Sequence, residues 1–95
     1  MLPIVWRKRA RKNLATILEF IANENPAAAI KIKGVIQDSI LPVAEHPYLY
    51  KSGRVGGTRE LVAHPNFIIV YRITAAAVEV VSVLHARQEY PKDNR

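Results

Sequence analysis

Residues 67–85 read Phe67-Ile68-Ile69-Val70-Tyr71-Arg72-Ile73-Thr74, then Ala75-Ala76-Ala77, then Val78-Glu79-Val80-Val81-Ser82-Val83-Leu84-His85. Both flanking runs are dense in β-branched and aromatic side chains, which fit a pleated, half-buried surface. The break between them is too short for a crossover, so the two strands must pair antiparallel. Each run is nearly apolar on both of its faces, which places both strands at the centre of a sheet. Working upstream, residues 58–63 form another strand, joined through the turn His64-Pro65-Asn66. The three strands are a meander. If Phe67, Ile69 and Tyr71 face one side, Ile68 and Val70 lie on the other, and that second apolar face predicts a cleft or a partner.

The first half of the chain has a different period. Residues 2–6, with Ile4, Val5 and Trp6, read as a short first strand. Ala10, Leu14, Ile17, Leu18 and Ile21 then recur every three or four residues, the stripe of an amphipathic helix. Asn25-Pro26 is a restart signal, because Asn caps orphan amides and Pro suits the first turn. A second helix is predicted over 26–41, burying Ala28, Ile32, Val35, Ile36 and Ile40 and ended or kinked by Pro42. The short link between the helices demands an antiparallel hairpin. Residues 45–57 turn to loop signals and hold Gly53, Gly56 and Gly57. No lysine-serine and no helix follow them, so they read as a connector in place of a phosphate cradle. Tyr48 and Tyr50 are expected to pack this loop against the domain. The predicted architecture is α+β: a short N-terminal strand, a helical hairpin, and a three-stranded antiparallel meander with the helices on one face.

With 95 residues the chain suits a single domain spanning 1–95, and 49% hydrophobic residues give it an ordinary globular composition. It has no cysteine, so disulfides, thiolate chemistry and the usual zinc sites are excluded, and a reducing cytoplasm is the simplest home. No apolar run approaches bilayer length, so no membrane is expected, and the first residues are too short an apolar stretch for a signal peptide. Charge is the first functional clue. Fourteen Lys and Arg against eight acids leave +6, and Arg7, Lys8, Arg9, Arg11 and Lys12 crowd one short stretch. Such a field attracts polyanions or an acidic protein partner, although a solvated helix face also explains it.

The residues able to do chemistry lie late in the chain. His85 and Arg87 are two apart, so on an extended backbone they share a side, with Tyr90 close behind. One imidazole beside one guanidinium is the minimum set for cleaving RNA at its own 2′-hydroxyl: the first moves a proton, the second stabilises phosphate charge. A structural histidine at a strand end is the simpler reading. Arg54, Arg59, His64 and Arg72 are candidate contacts to a target or a nucleic acid, although Arg72 and Glu79 could form a cross-strand pair. No metal-ligand spacing and no serine-histidine pattern is present, so no metal and no cofactor is expected.

The order of elements, with Trp6-Arg7 through Asn25-Pro26, Ala44-Glu45-His46-Pro47 and Gly57-Thr58-Arg59-Glu60-Leu61, resembles the RelE/ParE superfamily of toxins from type II toxin–antitoxin modules. The tyrosine-arginine strand followed by a strand ending in Leu84-His85-Ala86-Arg87 is the most specific part. The resemblance implies growth arrest and a cognate antitoxin, bound as a toxin–antitoxin hetero-oligomer. It leaves two targets open. ParE-like members inhibit DNA gyrase without being nucleases, and the last strands here look closer to these and to plasmid-stability sequences. RelE-like members cut mRNA on the ribosome and usually carry an arginine three residues before the strand-three tyrosine, where this chain has Ile68. On that alternative His85, near the C-terminal histidine of YafQ-like nucleases, would be the acid or base. Arg87 would stabilise phosphate and Tyr90 would position the RNA.

Overall fold

The two apolar runs lie side by side at the centre of a four-stranded sheet. The computed structural model describes residues 1–87. Their order is β1 (Ile4–Trp6), α1 (Lys8–Ala22), α2 (Pro26–Ser39), a 3₁₀ turn (Leu41–Ala44), β2 (Arg59–His64), β3 (Phe67–Ile73) and β4 (Val78–His85). The sheet order is β1-β4-β3-β2. β2, β3 and β4 form the antiparallel meander, and β1 runs parallel to β4 at the edge. This edge is stitched beyond the strand itself, since Val78 N–H donates to Pro3 O (2.9 Å) and Arg7 N–H donates to Val80 O (3.0 Å).

The hairpin follows its local chemistry. In α1, Ala10 and Leu14 are buried and Ile17, Leu18 and Ile21 pack against the core. Asn25 caps α2 by accepting from Ala28 N–H at 3.0 Å, with Pro26 in the first turn. The helix stops at Ser39, slightly before the sequence-based end, and Pro42 is the second residue of the 3₁₀ turn that follows. The buried face of α2 is set by Ala29, Ile36 and Ile40, with Ile32 half-buried; Val35, expected inside, is 36% exposed. Helix α1 packs over β4 and α2 over β2, so the helices share one face of the sheet.

On that face Phe67, Ile69, Tyr71, Val78, Val80 and Val83 complete the core with Ile36, Ile40 and Val43. The opposite face is less open than its apolar character predicts. Val70, Ser82 and Leu84 are buried there, and the exposed apolar side chains lie toward the edges, at Val5 and Val62. Arg72 and Glu79 pair across β3 and β4 at 2.8 Å, as the facing register requires. No helix among the described residues is long and apolar enough to cross a membrane.

Candidate functional site at the end of the sheet

Two β-bulges decide which side chains meet. In β2 the register passes from Val62↔Ile68 to His64↔Phe67, leaving Ala63 as the extra residue. In β4 it passes from Tyr71↔Val80 to Val70↔Ser82, leaving Val81 as the extra residue. Strict alternation from Leu61 and from Val80 would send both histidines to the face away from the helices. Each bulge reverses the parity once. His64 and His85 therefore arrive on the helix side, one on each flank of Phe67, with ring centroids 5.6 and 5.5 Å from it.

Both imidazoles are held in the same way. Asn66 N–H donates to His64 Nδ1 (3.1 Å), and Arg87 N–H donates to His85 Nδ1 (3.2 Å). A nitrogen that accepts keeps its lone pair, so the neutral ring carries its proton on Nε2. Strand β4 ends at His85 and the chain turns at Ala86-Arg87, tied by Ala86 N–H to Asn66 O (2.7 Å). His85 and Arg87 therefore meet through a turn, not along an extended strand. Tyr90 lies outside the described residues. The histidines border an apolar groove of about 450 Å³ that continues over Phe67 to Ile17, Phe20, Ile21 and Ile32. Phe20 is 72% exposed; it falls off the periodic stripe of α1, so periodicity alone leaves its place in the groove unmarked.

The remaining candidates are elsewhere. Arg59 stands at the other end of β2, roughly 17 Å of strand from His64. Its Nη1 donates to Tyr50 O, and its guanidinium lies 4.7 Å from the centroid of the Tyr48 ring. Arg54 binds Glu60 through both its backbone N–H (3.0 Å) and its Nε (3.1 Å). Arg72 is on the opposite face, paired with Glu79. Sequence reasoning treated Tyr48 and Tyr50 as packing residues; Tyr50 does pack on the core, while Tyr48 is largely exposed and covers Arg59.

The loop around Arg54 is closely built. Val55–Thr58 is a turn closed by Thr58 N–H to Val55 O (3.1 Å), and Gly57 takes a positive φ of 82° within it, which glycine adopts without steric cost. A Cβ on Gly53 would come 2.5 Å from Thr58 Oγ1. Gly53→Ala is therefore expected to lower stability by about 1–3 kcal/mol through overpacking, read as a lower urea midpoint with unchanged slope.

Burial by itself would raise the Glu60 carboxyl, but the backbone N–H and guanidinium of Arg54, helped by Lys51, outweigh it and leave the pKa lowered. The folded state thus binds the proton less readily than the unfolded chain. The stabilisation is complete above the ordinary glutamate pKa and fades as pH falls through the lowered one. Urea unfolding across that acid window should show a shallower pH dependence for Glu60→Gln than for the parent chain. Among the described residues no group of three His, Asp or Glu is arranged to hold a metal ion.

Comparison with known proteins gives a consistent picture. The family profile described as ParE toxin of the type II toxin–antitoxin system, parDE, matches residues 4–90. Y4kP of Sinorhizobium fredii is 38% identical over 90 residues, covering 94% of this chain and 93% of that protein. Toxin RelE2 of Caulobacter vibrioides is 31% identical over 88 residues, covering 90% and 97%. Among solved structures, a chain of the chromosomal ParDE system of P. aeruginosa superposes with a TM-score of 0.80 at 18% identity, covering 90% of this chain and 96% of that one. The conserved protein HP0894 of Helicobacter pylori shares the fold more loosely, with a TM-score of 0.54 at 15% identity and the same coverage.

Proposed function

This chain belongs to the ParE toxin family of type II toxin–antitoxin systems, within the RelE/ParE superfamily, and from that premise we propose that it arrests growth by binding and inhibiting DNA gyrase, without cleaving RNA. Membership implies a cognate antitoxin as partner. The observation that carries the choice of target is the dispersal of the cations. A phosphate-cleaving site needs a proton-transfer group and fixed positive charge within hydrogen-bond reach of one phosphate. Here Arg54 and Arg72 bind Glu60 and Glu79, Arg59 is engaged with Tyr50 and Tyr48, and none of the three stands at the histidines. With Nδ1 accepting from Arg87 N–H, the neutral His85 ring has no free lone pair to act as a base.

A second reading, a ribosome-dependent mRNA endonuclease, draws on Arg87 sharing the turn at His85, where its backbone N–H donates to the imidazole, and on the relative named toxin RelE2. Purified gyrase separates the two. On the gyrase reading, adding this chain lowers ATP-driven supercoiling of relaxed plasmid, and His85→Ala inhibits within about two-fold of the parent. Full supercoiling at saturating protein, with growth still arrested in cells, would reject gyrase as the target.

A further inference from the structure

At the end of β2 away from the histidines, the chain forms a cavity of about 340 Å³. Its walls include Tyr48, Ser52, Gly56, Gly57, Arg59 and Ile73, so it lies between the loop that precedes β2 and the far end of the sheet. Inhibition of gyrase by contact gives this cavity no part.

The wall chemistry points to an anion. Arg59 is half-buried and faces no carboxylate, since the ion pairs among the described residues are Arg54–Glu60 and Arg72–Glu79. A guanidinium partly withdrawn from water without a counter-charge is costly. Nη1 alone is engaged, on Tyr50 O, and the rest of the fork has no hydrogen-bond acceptor among the described residues. Such a fork matches two oxygens of one phosphate.

The turn Val55–Thr58 supplies further donors. Neither Gly56 N–H nor Gly57 N–H is hydrogen-bonded among the described residues. Gly57 needs its positive φ, but Gly56 has none, and a Cβ on Gly56 would meet nothing within 4 Å. Neither conformation nor packing demands glycine at 56; what glycine provides there is a bare backbone that a ligand can approach. Tyr48 adds a flat surface at the wall. It is 69% exposed, and the Arg59 guanidinium lies 4.7 Å from its ring centroid. An exposed aromatic ring beside a cation is a platform on which a nucleobase stacks.

We propose that this cavity binds a nucleoside 5′-phosphate, with the phosphate on the Arg59 fork and the Gly56 and Gly57 amides and the base on Tyr48. Lys51 and Arg54 lie on the same loop and add to the attraction, although Arg54 is already matched with Glu60. The lysine-serine pair and following helix of a phosphate loop are absent, so arginine and turn amides provide the grip. Binding is without cleavage, because His64 and His85 stand together at the other end of the sheet.

The nitrogen-15-labelled full chain is titrated with adenosine 5′-monophosphate, adenosine, inorganic phosphate and a 5′-phosphorylated trinucleotide. The monophosphate should move the Gly56 and Gly57 amide signals and bind at least about ten-fold tighter than adenosine or phosphate, less so as salt rises. Gly56→Glu puts a carboxylate into the open space over the site and should weaken binding at least about ten-fold at unchanged Tm. Tyr48→Leu keeps the phosphate contacts and should bring the nucleotide down to the affinity of inorganic phosphate. A trinucleotide that binds tighter than the mononucleotide identifies the end of a strand as the natural source, and one that does not identifies the free nucleotide; both uphold the site.

Signals that move only around residues 7–12 put the anion on the cationic stretch and overturn the location. Equal affinity for phosphate and nucleotide, unaffected by Tyr48→Leu, overturns the nucleoside. Unmoved Gly56 and Gly57 signals at millimolar ligand overturn the site altogether and leave the toxin assignment standing.

Discussion

Replacing Tyr71 by alanine is expected to cost about 3–5 kcal/mol, the range for removing a large aromatic from a packed core. Tyr71 heads the largest fully buried side chains and joins the cluster that includes Ile36, Ile69 and Val80. For a domain of this size that loss is a large share of a total of about 5–15 kcal/mol. The same residue gives a prediction of opposite sign. Tyr71 Oη is buried and makes no hydrogen bond of good geometry among the described residues, and burial pushes the phenol pKa up, only partly offset by the charge of Arg59 and by the nearby backbone N–H of Tyr50. A buried hydroxyl without a partner costs about 1–3 kcal/mol of desolvation. Tyr71→Phe keeps the ring and removes that cost, so it should raise Tm while Tyr71→Ala lowers it sharply. Thermal unfolding of the two variants beside the parent chain decides both. A Tm loss in Tyr71→Phe would mean that the hydroxyl has a partner.

Arg59→Ala is expected to cost about 2–4 kcal/mol. Arg59 opens β2 opposite Tyr71, passes one N–H to Tyr50 O and places its guanidinium against the Tyr48 ring. A hydrogen bond from a charged donor contributes about 1.5–3 kcal/mol, and a partly exposed cation–π contact adds about 0.5–1. Losing both frees the segment around Tyr48 and Tyr50 from the sheet. Hydrogen exchange should quicken at Gly53, Thr58 and Glu60, whose amides donate within this segment, before the rest of the chain is affected. Arg59→Lys keeps the charge but lacks the planar fork, so it should recover only part of the loss. A full recovery with lysine would show that charge alone holds the loop.

Much of the fold was legible because it rests on local signals. The apolar runs at 67–74 and 78–84 gave the two central strands, Asn25-Pro26 marked the start of α2, and Arg72 with Glu79 was readable as a cross-strand pair. The face of α2 was read less well, since Ala29 replaces Ala28 in the core and Val35 reaches solvent. Small and β-branched apolar residues surround that helix, so periodicity alone cannot fix its rotation.

The site was the least legible part, for a different reason. His64 and His85 are brought together by extra residues at Ala63 and Val81, and nothing in a run such as Val80-Val81-Ser82-Val83 marks where alternation slips. The candidates Arg54, Arg59 and Arg72 were found by residue type, and their partners only by tertiary structure. What looked like one late cluster is three separate places: a histidine-flanked apolar groove, a guanidinium-held loop and a surface ion pair.

On the proposed reading this toxin acts by binding and not by cutting. That reading is tested most directly in cells, by mapping mRNA 5′ ends genome-wide in the minutes after induction alongside a reporter of DNA damage. Gyrase inhibition should give early induction of the damage reporter, no new 5′ ends within translated codons, and the same growth arrest from His85→Ala. New ends on translated codons before any damage signal, lost in His85→Ala, would contradict it.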